Sequence, residues 1–401
     1  MSELAINGGT PVISSAPKRY TWIDKGILPQ LEALILSNSY SGFLAQPTAE
    51  HYGGNRIQKL EELWSEEFSV EHSITFNSWT SGLMAGVAAL GIPKGEEVIV
   101  TPWTMSASVA CIVANGLVPV FADIEKDSFN IDPNSVASKI TSNTAAILGV
   151  DIFGKPCDAI ALREIANRHG LKLIIDAAQT PRARLATKRT SHWADIAGYS
   201  LNRHKHLQVG EGGIAVTNDE LYAKRMRLMR NHAEVTSGDE PDHIISVGHN
   251  WRMGELEAEL AIYQLQRFET HLKSRIEAGS KLLSLLQGIP GLEMFPTPGE
   301  YEHDFYILGI KLTENLIPQR FYILEAIRAE GVTNIFAGYQ ALHRLKAFEK
   351  FDQNDLHTVN ELHDRAFLGI YMCGNEFSLR DIQLIAEAIQ KVVSSAVAIT
   401  Q

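Results

Sequence analysis

The chain has little cysteine, no excess of positive charge and no long apolar run, and each shortage removes a class of function. Its three cysteines, Cys111, Cys157 and Cys373, lie far apart in 401 residues and form no metal-ligand spacing. Cys111 and Cys157 sit in apolar or turn contexts and read as reduced, structural thiols. A formal charge of −11 leaves no basic patch for a nucleic acid, so none is expected as a partner. No run approaches the ~18 consecutive apolar residues of a membrane span, so no membrane partner is expected either. The opening Met-Ser-Glu-Leu-Ala-Ile-Asn-Gly-Gly has neither a basic region nor a long apolar stretch. No signal peptide is visible there, and the expected compartment is the cytosol. Internal repeats and low-complexity tracts are missing too.

What is present is the material of a large folded interior. Hydrophobic residues make up 45% of the chain and charged residues 21%, without long blocks of one sign. The length exceeds one typical core, which predicts two subdomains. Residues 1–30, rich in Gly, Pro and Ser, read as an arm without a core of its own. Residues 31–252 read as the large domain, and 253–401 as a linking helix with a smaller domain. Helices are expected over Ile27–Ile35 and Ile57–Phe68, with a polar loop, 40–54, between them. Apolar strands are expected at Ser73–Asn77, Val98–Val100, Val118–Phe121, Ala145–Val150, Leu171–Ile175 and Ile196–Ser200, with helical stretches between most of them. Strands without in/out alternation, spaced by helices, predict an α/β fold with a mostly parallel central sheet flanked by helices. One long helix, Met253 to about Leu286, leads to a smaller α+β unit with a strand at Phe305–Leu312 and helices at Gln319–Glu330 and from Leu379 onward. Ser378 and Asp381 suit a variant capping box for the last.

Ligands in such sheets sit beyond the carboxyl ends of strands. The stretch Gly198–Thr217 reads as strand, loop and strand, with Lys205 on the loop. Taken alone, it suits a solvated loop lysine. If buried, its ammonium form is disfavoured and the neutral amine becomes a nucleophile for aldehydes. Asp176 ends an apolar strand 29 residues earlier, leaving room for one crossover and one strand. Both residues then open on the same sheet edge. An aspartate that keeps a pyridine nitrogen protonated and a lysine that forms an aldimine are what pyridoxal phosphate requires. Ser78-Trp79-Thr80-Ser81-Gly82, between a strand and a helix, supplies backbone N–H groups and the Thr80 and Ser81 hydroxyls for a phosphate. Ser200 adds a hydroxyl, Trp103 a candidate ring platform, and Gln179 a donor to the ring oxygen. Each residue alone also suits capping, packing or an ordinary turn.

Six stretches carry a resemblance: Thr80-Ser81 before an Ala/Leu helix, Pro119-Val-Phe-Ala-Asp, Asp151-Ile-Phe-Gly-Lys-Pro156, Asp176-Ala-Ala-Gln179, Ser200-x4-Lys205-x4-Gly-Glu-Gly-Gly and Gly248-His-Asn-Trp-Arg-Met253. Together they resemble the DegT/DnrJ/EryC1/StrS sugar aminotransferases, of the pyridoxal-phosphate-dependent transferase fold of type I. The opening Asn7-Gly-Gly-Thr-Pro11 is similar to members acting on sugars or cyclitols. The resemblance implies Lys205 as Schiff-base lysine, Asp176 at the pyridinium nitrogen, Gln179 near the ring oxygen, and Thr80, Ser81 and Ser200 on the phosphate. It implies that Asn250 reaches the phosphate of a neighbouring subunit, hence a homodimer with shared sites. It also implies pyridoxal and pyridoxamine phosphate as cofactor forms, glutamate or glutamine as amino donor, and a keto sugar, nucleotide-linked or free, or a keto cyclitol as acceptor.

The chain departs from that pattern in four places. Trp79 stands where glycine is common. Met105 stands where the stacking aromatic is usual, which leaves Trp103 two residues earlier as its substitute. Thr180-Pro-Arg-Ala-Arg184 replaces a His-Gly-Ala-like run and makes Arg182 and Arg184 candidates for anion binding. Ala341-Leu342-His343 lacks the usual proline, with His343 a candidate at the substrate. Two rivals share the resemblance: a sugar dehydratase of the same family, which would carry histidine where Lys205 stands, and a non-catalytic pyridoxal-phosphate-binding regulatory protein.

Overall fold

The computed structural model describes residues 3–44, 48–233, 247–351 and 354–400. Its large sheet contains β1 (His72–Phe76), β2 (Glu97–Val100), β3 (Val118–Phe121), β4 (Thr144–Val150), β5 (Lys172–Asp176), β6 (Ile196–Ser200) and β7 (Gly213–Thr217). Their order is β1-β7-β6-β5-β4-β2-β3. β7 runs antiparallel to β1 and β6, and the pairings from β6 through to β3 are parallel.

Helices α1 (Leu28–Ser37), α2 (Asn55–Phe68), α3 (Trp79–Ala89), α4 (Ala107–Ala114), α5 (Pro133–Ser138), α6 (Ala159–His169) and α7 (Glu220–Arg230) accompany this sheet. Both faces are covered, which explains the continuous apolar runs. Along β5, Leu173 and Ile175 join a core with Ile57, Leu60 and Trp64 of α2 and Leu162 of α6. Ile174 between them joins the other core, with Leu83 of α3 and Val109 and Ile112 of α4. A strand buried on both faces has no polar side to alternate with.

The single long helix expected from Met253 is two, α8 (Glu255–Leu265) and α9 (Phe268–Leu286). The break at Gln266–Arg267 contains neither Gly nor Pro. Arg267 produces a local stop: its guanidinium donates to the Tyr263 carbonyl at 3.0 Å and lies 3.7 Å from the centre of the Tyr263 ring. A basic side chain on the last carbonyls caps the first helix.

The smaller part has α10 (Arg320–Ala329), α11 (His357–Glu361) and α12 (Leu379–Thr400) against an antiparallel sheet. Its strands are β8 (Leu292–Glu293), β9 (Ile307–Leu312), β10 (Ile335–Ala337) and β11 (Phe367–Tyr371), in the order β10-β11-β9-β8. Ser378 and Asp381 bond reciprocally at the start of α12: the Ser378 amide donates to the Asp381 carboxylate at 2.8 Å, and the Asp381 amide to Ser378 Oγ at 3.1 Å. Within α12, Leu379–Ile399 is long and apolar enough to cross a membrane, which the count of uninterrupted apolar residues did not anticipate. Its apolar stripe, Ile382, Ile385, Ile389, Val392 and Val393, is buried in the core, where α12 packs on α9 and α10.

The arm is tied down at several points. The amides of Ala5 and Val12 donate to the Glu330 carboxylate at 2.9 and 3.0 Å, and Lys18–Arg19 pairs antiparallel with Asn375–Glu376. Of the 40–54 loop, residues 45–47 lie outside the described residues.

Candidate active site

β5 ends at Asp176 and the parallel β6 at Ser200, so both open on the same edge of the sheet. The chain then loops back as residues 201–212 before β7. That loop closes on itself: Leu201 N–H donates to Gly212 at 2.9 Å, Arg203 N–H to Gly210 at 2.8 Å and Lys205 N–H to Asn202 at 2.8 Å. From the arm, the Trp22 indole N–H donates to the Lys205 carbonyl at 3.1 Å. The Lys205 amine lies 4.5 Å from the centre of the Tyr306 ring. Burial pushes this amine down to about 8, with the Asp176 carboxylate and the Cys373 thiol partly opposing.

A cavity of about 160 Å³ opens here, lined by Lys205, Asp176, Gln179, Ser200, Ser78 and Thr80, with Met105 and His204 at its walls. Asp176 is fixed by three donors. The Trp79 indole N–H reaches Oδ1 at 2.8 Å, the Ala178 amide reaches Oδ1 at 3.2 Å, and the Ser108 hydroxyl reaches Oδ2 at 2.8 Å. Gln179 accepts the Phe153 amide on Oε1 at 2.6 Å, which leaves its NH2 as the donor end, with the Tyr339 hydroxyl as a partner. Burial pushes the His204 imidazole below its usual range, and the neighbouring Lys205 charge pushes the same way.

The α3 N-terminus borders this cavity. Ser78 caps the helix by accepting the Ser81 amide on Oγ at 3.1 Å. The first amides of any helix have no partner within it and remain available to an anion. Thr80 lines the cavity, whereas Ser81 does not. The Ser81 hydroxyl donates to Asn77 Oδ1 at 2.8 Å, so it is spent inside the cap.

Other expected residues fall elsewhere. Trp103 is fully buried among Phe153, Tyr339 and Phe367 and is not part of the cavity wall, because its loop turns the ring into the core. Met105 takes the wall instead, 51% exposed. Arg182 is engaged by two carboxylates, Glu269 and Glu302, each at 3.0 Å, and so has no charge to spare for an anion. His343 is buried against Phe121, with Nε2 3.0 Å from Asn360 Oδ1, and does not line the cavity. Asn250 is exposed and outside the cavity of its own chain, where it accepts from Arg252 Nε at 2.8 Å. The residues that the motifs did not reveal are Ser108 on Asp176 and Tyr306 on Lys205. Each comes from a distant element and no spacing announces it.

The fold is that of pyridoxal-phosphate-dependent aminotransferases. Residues 45–390 match the model of the DegT/DnrJ/EryC1/StrS aminotransferase family, and the chain belongs to that family. It is 32% identical over 296 residues to a GDP-perosamine synthase of Vibrio cholerae, covering 74% of this chain and 80% of the relative. It is 29% identical over 356 residues to an L-glutamine:2-deoxy-scyllo-inosose aminotransferase of Streptomyces kanamyceticus, covering 85% and 82%. In fold it is similar to Helicobacter pylori PseC, an aminotransferase involved in the biosynthesis of pseudoaminic acid, with a TM-score of 0.84 and 23% identity over 95% of this chain and 99% of that one. The chain is accordingly an aminotransferase.

Proposed function

We propose that this aminotransferase holds pyridoxal 5′-phosphate covalently through Lys205 and moves an amino group from glutamate or glutamine to a keto sugar or keto cyclitol. The observation that carries the reading is one cavity that presents together a partly buried lysine, its amine pushed down to about 8, and a fixed aspartate. The donor set fits the cofactor. Asp176 would face the ring nitrogen, Gln179 the ring oxygen, and Thr80, Ser78, Ser200 and the first α3 amides the phosphate. Met105 supplies a soft apolar wall where an aromatic ring is more usual. When bound, the cofactor supplies an electron sink for the carbon that exchanges its amino group.

The chain's own residues do the rest. Once the donor's amino group displaces it from the cofactor, Lys205 Nζ would be free to remove the proton from the amino-bearing carbon of the donor and, in the second half of the transfer, to deliver one to the carbonyl carbon of the acceptor. An amine lowered to about 8 can do both near neutrality. Asp176, held by three donors, keeps its negative charge aimed at one place without reorganising during the reaction.

The acceptor class rests on the relatives, whose names are those of sugar and cyclitol enzymes, and one of those names gives glutamine as donor. A homodimer accords with the outer face of α1, where Leu28, Ile35 and Leu36 are 55%, 55% and 74% exposed, a costly surface to leave in water. Asn250 lies free of its own cavity, as a residue serving a neighbour's phosphate would. The cytosol remains the proposed compartment.

Borohydride reduction of the cofactor-loaded protein followed by peptide mapping tests the core of this reading. The pyridoxyl label is expected on Lys205, and label on another lysine overturns it. Product analysis with nucleotide-linked and free keto sugars and keto cyclitols, with each donor, then defines the substrate.

A further inference from the structure

Trp79 breaks the family pattern most visibly, and its surroundings are built for it. The side chain is 4% exposed. A Cβ on Gly198, in the middle of β6, would overlap the far edge of the indole, and a Cβ on Gly82 would strike the ring from the helix side. Gly213, at the start of β7, lies directly against the Trp79 backbone. Bare backbone on two strands and a helix thus forms a slot, and the indole lies in it with its N–H on Asp176.

The consequence lies in the lone pairs of Asp176. Each carboxylate oxygen has about two acceptor positions. On Oδ1 they are filled by the Trp79 indole and the Ala178 amide; on Oδ2 one is filled by Ser108. Among the described residues a single position stays open, and it is on Oδ2.

We infer that Trp79 is a positioning residue that locks the Asp176 carboxylate by its Oδ1, so that only Oδ2 is left to receive the cofactor's ring nitrogen. The inference rests on the reading of this cavity as a pyridoxal phosphate site. Without the indole the carboxylate can turn about its broad terminal torsion, and Oδ1 becomes a second, competing acceptor. Binding the ring then has to order a group that the native protein holds ready.

The test is a double-mutant cycle on cofactor affinity, which separates an effect through Asp176 from simple packing. Pyridoxal 5′-phosphate is titrated into the apoprotein of the wild type, Trp79→Phe, Asp176→Ala and the double variant, followed by absorbance of the bound cofactor. Trp79→Phe is expected to weaken binding about tenfold, or about 1.4 kcal/mol, when Asp176 is present. It should change binding less than about twofold when Asp176 is replaced by alanine. An equal loss in both backgrounds makes Trp79 a packing residue and overturns the inference, as does wild-type affinity in Trp79→Phe. If Trp79→Phe does not fold, benzothienylalanine at position 79 keeps the bicyclic volume and puts sulfur in place of N–H. It is expected to show the same Asp176-dependent loss, and wild-type affinity there overturns the inference. A wild-type protein that binds no pyridoxal phosphate overturns the functional reading and this inference together, whereas wild-type binding with an unaffected variant removes the inference alone.

Discussion

The Lys205 amine sits 4.5 Å from the centre of the Tyr306 ring, so a residue of the large sheet's loop is held by one that precedes β9 of the smaller part. The ring face attracts the ammonium form, while burial opposes it more strongly.

Only the neutral amine attacks an aldehyde. The rate at which apoprotein takes up pyridoxal phosphate should therefore rise with pH and level off above about 8, as stopped-flow absorbance can record. Tyr306→Leu removes the ring that favours the charged form, worth about 0.5–1 kcal/mol. The midpoint of that profile should move down by roughly half a pH unit, whereas Tyr306→Phe, which keeps the ring, should leave it in place.

Asp176→Asn keeps the shape and removes the charge. Steady-state transamination should fall at least ~10²-fold, roughly 2.7 kcal/mol in the barrier, with the fold unchanged by circular dichroism. Near-normal turnover would reduce Asp176 to a turn residue.

Gly198→Ala places a methyl where the Trp79 indole lies. Overpacking of this kind costs about 1–3 kcal/mol, so the melting temperature should fall by several degrees. Cofactor affinity should fall with it, because the indole cannot shift and keep its bond to Asp176. Unchanged melting and affinity would show that the slot has slack.

Strand ends and the loop that carries Lys205 were legible in the sequence because two-sided burial makes continuous apolar runs and because the loop glycines punctuate them. The placement of Trp103 was not. Whether a ring at that position faces the cavity or the core depends on Phe153, Tyr339 and Phe367, which arrive from three separate elements. Arg182 was misleading for the same reason, since its partners Glu269 and Glu302 lie 87 and 120 residues away. Trp79 could be seen as a departure but not understood, because its slot is made by glycines on β6 and β7. The α8–α9 break left no trace in the apolar periodicity, for it depends on one arginine folding back on Tyr263.

Asp304 gives a pH-dependent stability with a defined sign. It is fully buried, with Oδ2 accepting the Arg182 and Ala183 amides at 2.8 and 2.9 Å and Oδ1 without a partner among the described residues. Burial raises its carboxyl from 3.8 to about 7. Between those values the native state keeps a proton that the unfolded chain has released, so its contribution to stability falls as pH rises and is lost above about 7. Asp304→Asn cannot ionise. Its melting temperature relative to wild type should increase from pH 4 to pH 8, by a few degrees on scanning calorimetry, and a flat or falling difference would contradict the assignment.

The clasp of Trp22 on the Lys205 carbonyl has a consequence for the order of folding. It joins residues 183 apart, and the arm that carries it is pinned by a ribbon whose strands are 358 apart at Lys18 and Glu376. Contacts of such separation carry the largest loop-closure cost and form late. A chain emerging from the ribosome can build the parallel sheet and the loop around Lys205 well before residue 376 exists. The ribbon that pins the arm comes last, when Lys18–Arg19 meets Asn375–Glu376.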